Sequence, residues 1–230
     1  MPHISTAHEV LAAVFQVRGL DTRQPTLNVL LWQRALDPER GKWSLPGGRL
    51  EDDEDLTSSV RRQLAEKVDL REIAHLEQLA VFSDPARVPG IRTIASTFLG
   101  LVPSSSTPTL PPDTRWHPVS DLPPMAFDHA PMVEHARTRL VAKMSYTNIG
   151  FALAPKEFAL STLRDIYSAA LDHQVDATNL QRVLERRKVI TPTGTTARSG
   201  RSGGRPAALY RFTESRYRVT DAFAALRPPG

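Results

Sequence analysis

The sequence predicts a two-part α/β protein, and three observations carry the prediction. Apolar, β-branched runs of strand length recur through the first half of the chain, with one long amphipathic helix pattern set among them. Near the C-terminus, two short helix patterns precede two strand-like runs that flank a turn rich in glycine and arginine. The charge is also divided: residues 145–230 carry 13 Lys and Arg against 7 Asp and Glu in a chain of net charge +4.

Composition narrows the function classes. A chain of 230 residues, 40% hydrophobic, can build two modest cores. It contains no cysteine, which excludes disulfides and thiolate metal sites. Its first residues lack the apolar centre of a signal peptide, and no apolar run reaches membrane length, so a soluble cytoplasmic protein without a membrane partner is expected. A basic surplus confined to the last third points to a polyanion there.

The elements follow in order. Residues 10–17 and 27–33 read as strands, joined by a polar loop over 18–26. Leu45-Pro46-Gly47-Gly48 is a turn signal at the end of an apolar stretch. Residues 52–70 form one helical pattern: Leu56, Val60, Leu64 and Val68 recur every fourth residue as its buried face. Gln63, Glu66 and Lys67 share another face and are expected to point together at the glycine turn. Residues 73–82 and 93–102 supply two more strands, and 103–112 is a Ser/Thr/Pro-rich connector. A helix over 130–144 comes next, with Met132, His135, Leu140 and Val141 in its pattern and Asp128 as its N-cap.

The stretch from Gly48 to Leu70 resembles the Nudix box. Gly48, Glu54, Arg62, Leu64, Glu66 and Leu70 match at the family's spacing, as do Leu45-Pro46-Gly47-Gly48 and Glu51. Gln63 and Lys67 stand where the family has glutamates, and Asp69 replaces a glycine. The resemblance implies a hydrolase that splits diphosphates with Mg²⁺ held by the box glutamates. Mg²⁺ needs several hard oxygen ligands, so the two replacements imply no catalytic residue, no metal site and no required cofactor, although Glu51 or Asp52 could supply a substitute carboxylate. Lys67 could instead face a diphosphate as a fixed positive charge, leaving a pocket that binds without cutting. The loop over 83–92 looks like that of Nudix proteins acting on ADP-ribose, which implies that Arg87 and Arg92 meet phosphates; a solvent-exposed loop charge is the alternative for each. Residues 115–122 resemble the segment that closes the family's sheet. Phe127-Asp128-His129 resembles a segment lining the nucleotide pocket, with a plain first helical turn as the alternative for His129.

The C-terminal part begins after a boundary at residues 146–156. Ser161-Thr162 opens a helix, with Thr162 and Asp165 at capping-box spacing and a stripe of Leu163, Ile166, Tyr167, Ala170 and Leu171. Asp176 caps a second helix that buries Leu180, Val183 and Leu184 and shows Asn179, Gln181, Arg182 and Arg186. Strand-like runs at 189–191 and 208–212 flank a turn carrying Arg198, Arg201 and Arg205 among glycines and serines. Such a turn cannot build a core but can lie on phosphates or in a minor groove. Helix, turn, helix and basic hairpin is the order of a winged helix. Residues 214–230 carry no signal.

The whole chain therefore resembles the Nudix-related transcriptional regulators of NAD metabolism, the NrtR family. The fold implied is an N-terminal Nudix α/β/α sandwich over residues 1–147 and a winged helix-turn-helix over 148–230. The function implied is repression of NAD biosynthesis or salvage genes by a homodimer on a palindromic operator, relieved or modulated by ADP-ribose or a related nucleotide. The candidate ligand-binding residues are Arg49, Arg62, Glu66, Lys67, Arg87, Arg92, Phe127 and His129. The candidate DNA-binding residues are Asn179, Gln181, Arg182, Arg186, Arg198, Arg201 and Arg205. An active ADP-ribose pyrophosphatase with an accessory nucleic-acid module is the alternative, and RNA binding is another.

Overall fold

The structure, a computed structural model, describes residues 6–22, 24–197 and 206–221. The described chain divides into two compact units. One gathers the residues up to Gln16, Leu27–Val102 and Ser106–Arg139; the other gathers Val17–Thr26, Pro103–Ser105 and the residues from Leu140 onward. The packing boundary thus falls inside a helix rather than at residue 147. No helix among the described residues is long and apolar enough to cross a membrane.

The first unit is built on a seven-stranded mixed sheet. Strands β1 (Ala7–Arg18), β2 (Thr26–Gln33), β3 (Trp43–Ser44), β4 (Gly47–Arg49), β5 (His75–Phe82), β6 (Thr93–Leu101) and β7 (Thr114–Pro118) contribute to it. The order is β3-β2-β1-β6-β5, with β4 paired to β1 and β7 to β2. β1 and β6 are parallel, from Ala7 opposite Thr93 to Phe15 opposite Leu101. Their near-continuous apolar runs follow from that central position, covered on both faces.

Helix α1 spans Leu56–Val68, beginning later than its pattern because Asp55 caps it, accepting from Ser58 N at 2.7 Å. Val60, Leu64 and Val68 pack with Val10, Val14, Leu30 and Phe98 in one core cluster. The helix ends on Asp69 in the left-handed region, φ 48°, where the family's glycine would be unstrained. Ahead of α1, Gly47 lies so close to β1 that a Cβ would collide with the Val10 carbonyl, which demands glycine there. Helix α2 spans His129–Tyr146 and buries Met132, Val133, Ala136, Leu140 and Met144. His135, expected in that stripe, is exposed, because the buried face follows i, i+4 from Met132.

The second unit opens on buried chain. Thr147, Asn148, Ile149, Ala152, Leu153 and Ala154 all lie in its core, so the expected boundary segment is packed structure. Strand β8 (Phe158–Ala159) leads into α3 (Leu160–Leu171), and α4 (Ala177–Arg186) follows a turn through Asp172 at φ 58°. Because α3 starts at Leu160, Thr162 is already inside its first turn, and Asp165 is held by Arg164 at 2.6 Å; the capping box does not form. β9 (Ile190–Thr196) and β10 (Ala208–Phe212) are antiparallel, and β8 completes a three-stranded sheet in the order β8-β10-β9.

The last described residues are also ordered by contacts. Asn148 donates to Glu214 O and Arg216 O and accepts from Arg218 N at 2.7 Å. Arg187 joins Ser145 O at 2.7 Å and Asp221 at 3.0 Å. A stretch whose sequence carries no periodicity is thus held by Asn148 and Arg187.

Candidate functional site

In the first unit, the turn between β3 and β4 is fastened from three directions. Trp32, near the end of β2, donates its indole N–H to Leu45 O at 3.1 Å. Lys67 on α1 donates its ammonium to Gly47 O and stands 4.9 Å over the Trp32 ring. Leu45 N donates to His129 Nδ1 at 3.0 Å. Gln63 also faces this turn: its amide donates to Arg49 O at 3.3 Å, and a Cβ on Gly48 would run into it. Gln63 and Lys67 therefore reach the glycine turn as their helical spacing predicts.

Glu66 does not join them. It lies outside, 3.3 Å from Arg62, which also holds Glu54 at 2.5 Å and Glu51 at 3.1 Å. The Arg62 guanidinium holds the Glu54 carboxyl down to about 2. Arg62 and Glu66, two candidate ligand residues, are thus bonded to each other in a carboxylate-guanidinium clip. Burial lowers the Lys67 ammonium below its ordinary value, and the charge of Arg34 lowers it further.

Arg34 completes the cationic side. Its guanidinium sits 4.9 Å from the Phe127 ring, and Phe127, at φ 51°, lies 5.9 Å from the His129 ring. Trp32 and Arg34 went unrecognised in the sequence; Trp32 lies in β2 and Arg34 one residue past its end. Trp43 and His117 stack edge-on at 4.3 Å, another aromatic contact joining two strands of this sheet. Arg49 is exposed, and Arg92 is half-buried with Nη1 lacking a partner.

Arg87 departs from its expected place at a phosphate. Its side chain is 1% exposed and is consumed by Glu9 at 2.6 Å and Asp128 at 2.8 Å. Asp128, expected as a helix cap, gives both carboxylate oxygens to Arg87. A buried guanidinium requires such partners, and two carboxylates supply them.

His129 is 3% exposed, and burial pushes its imidazole down to about 4. Protonation would also place an N–H on Nδ1, against the Leu45 N–H. The unfolded chain takes this proton near 6.5 and the folded one only near 4, so His129 supports stability fully above 6.5 and loses that support as pH falls toward 4. The expected loss is on the order of 3 kcal/mol. Urea denaturation across pH 4 to 7 checks it: His129→Gln should flatten the acid side of the profile, and an unchanged slope would refute it.

In the second unit, α4 turns Leu180 and Leu184 inward and leaves Asn179, Arg182 and Arg186 exposed. Arg182 donates to Asn179 Oδ1 at 2.8 Å. Gln181 is half-buried and braces the helix, donating to Glu185 at 2.9 Å and to Tyr210 Oη of β10 at 3.1 Å. Arg198, Arg201 and Arg205 lie outside the described residues. Among the described residues, no group of three or more His, Asp or Glu is placed to hold a metal ion.

Comparison with known proteins places both units. A NUDIX domain model matches residues 8–136, and a model of the NrtR DNA-binding winged helix domain matches residues 150–212. The chain is 31% identical over 201 residues to the ADPR responsive transcriptional repressor NtrR of Acinetobacter baylyi, covering 84% of this chain and 79% of that protein. Shewanella oneidensis NrtR, solved with a 27mer DNA, superposes with a TM-score of 0.74 at 31% identity, over 89% of this chain and 93% of that one. The NUDIX domain of the same protein, solved with ADP ribose, gives 0.50 at 32% identity, over 59% and 89%.

Proposed function

The chain belongs to the NUDIX family, in the branch that carries an NrtR winged helix, and from that premise we propose that it is a transcriptional repressor of NAD biosynthesis or salvage genes whose Nudix domain senses ADP-ribose without cleaving it. The observation that carries this reading is the turn at Leu45–Gly47. Where the box calls for two carboxylates, the Lys67 ammonium donates to Gly47 O of the turn and the Gln63 amide to Arg49 O of the adjoining β4. This donor set does not fit Mg²⁺: an ammonium has no lone pair to give, and its charge repels the ion. It does suit a diphosphate, which needs cations, while Trp32 and Phe127 offer apolar rings for the rest of a nucleotide.

The second unit supplies the output. The exposed α4 face suits the major groove of duplex DNA, and the arginines that the sequence carries over 198–205 add positive charge for its phosphates. Two copies would read a palindrome with half-sites about 34 Å apart. Expression of this role belongs to the cytoplasm, where DNA and nucleotide meet.

One experiment tests the reading. Binding to the DNA upstream of the protein's own gene is followed with and without ADP-ribose, and the ADP-ribose is assayed afterward with Mg²⁺ present. The expected result is release of DNA with the nucleotide intact. Turnover near 1 per second or faster, ordinary for an enzyme, would establish the pyrophosphatase alternative instead.

A further inference from the structure

We propose that Arg182 reads a guanine in the operator and that Asn179 is a positioning residue that aims it, resting on the DNA-binding reading above. Five side chains of α4 are exposed, Thr178, Asn179, Arg182, Glu185 and Arg186; Glu185 is engaged by Gln181, and Asn179, Arg182 and Arg186 are the amide and guanidinium donors that could face bases. Gln181 is excluded from that set because its amide is committed to Glu185 and Tyr210.

Asparagine reads adenine by using its carbonyl and its amide together, against N6 and N7. The Asn179 carbonyl is already engaged by Arg182 Nη2 at 2.8 Å. Its backbone N–H is tied to the Asp176 cap at 2.6 Å, so Asn179 sits on the capped first turn of the helix. From position i it holds the guanidinium of i+3, fixing one edge of the fork and leaving the other edge to face outward. An arginine fork held in that way matches O6 and N7 of guanine, and holding it beforehand reduces the rotamer freedom lost on binding. Arg186, one turn further on and without such a tether, is left to the backbone.

The test is selection of preferred duplexes from a randomised pool by the full-length protein, by Arg182→Ala, by Arg182→Lys and by Asn179→Ala. The unchanged protein is expected to enrich a guanine in each half-site, and both Arg182 variants to lose that preference by about 5- to 150-fold. Asn179→Ala should weaken preference at the same guanine and at no other position. Substituting 7-deazaguanine there should abolish the difference between the unchanged protein and Arg182→Lys. Loss of an adenine preference at a different position in Asn179→Ala would overturn the assignment, as would retention of the guanine by Arg182→Ala. No enrichment by the unchanged protein would instead sink the DNA-binding reading itself, and this assignment with it. Thermal melting of each variant separates these outcomes from misfolding, since both side chains are exposed.

Discussion

ADP-ribose is expected to bind the free protein 5- to 150-fold more tightly than the protein held on its operator. The expectation follows from reciprocity. If nucleotide weakens DNA binding by some factor, DNA must weaken nucleotide binding by the same factor, a coupling of about 1–3 kcal/mol. On the proposed reading, in which Gln63 and Lys67 replace carboxylates and the nucleotide is not cleaved, occupancy acts by biasing a second equilibrium. The measurement is a calorimetric titration of ADP-ribose into free protein and into the protein–DNA complex at one fixed salt concentration, because the DNA step is strongly salt-dependent. Lys67→Ala should weaken both titrations alike, since it removes a cation from the pocket and leaves the coupling intact. Equal affinities with and without DNA would uncouple the pocket from the operator and end the regulator reading.

Replacing Arg87 by methionine is expected to cost the first unit about 3 kcal/mol or more. Arg87 belongs to the loop between β5 and β6 and joins Glu9 of β1 to Asp128 at the start of α2. Removing one member of a buried ion network typically costs 3–5 kcal/mol, because the charges left behind lose their partner. Glu9 and Asp128 keep side-chain exposures of 23% and 24%, so water recovers part of that loss and the lower end applies. The triple variant Arg87→Met, Glu9→Gln, Asp128→Asn should regain most of it, since no buried charge is then unpaired. Urea denaturation of the unchanged protein, the single variant and the triple variant decides: a loss below about 1 kcal/mol in the single variant would mean that solvent already screens the network. Asp128 adjoins His129, which holds Leu45, so the single variant should also bind ADP-ribose more weakly.

The division between what was legible and what was not follows the range of the interactions. The α1 stripe, the Asp176 cap and the helix-turn-helix spacing are set by neighbours within one or two turns, and they are written in the sequence as periods and caps. The approach of Gln63 and Lys67 to the glycine turn was legible for the same reason, because helix geometry fixes which side chains share a face. The charge asymmetry and the absence of cysteine likewise bounded the chemistry without any coordinates.

Tertiary structure alone decided the partners of the polar side chains. Arg87 looks like a loop cation in the sequence, yet it meets Glu9 and Asp128, 78 and 41 residues away. Asn148 reads as linker, yet it organises backbone 66 to 70 residues later. Arg34, just past the end of β2, reaches the ring of Phe127, 93 positions later, where Phe127 itself adopts a left-handed backbone. Apolar residues announce their burial by their own chemistry and spacing. A charged or amide side chain is buried only where a partner distant in sequence meets it, and sequence periodicity holds no record of that meeting.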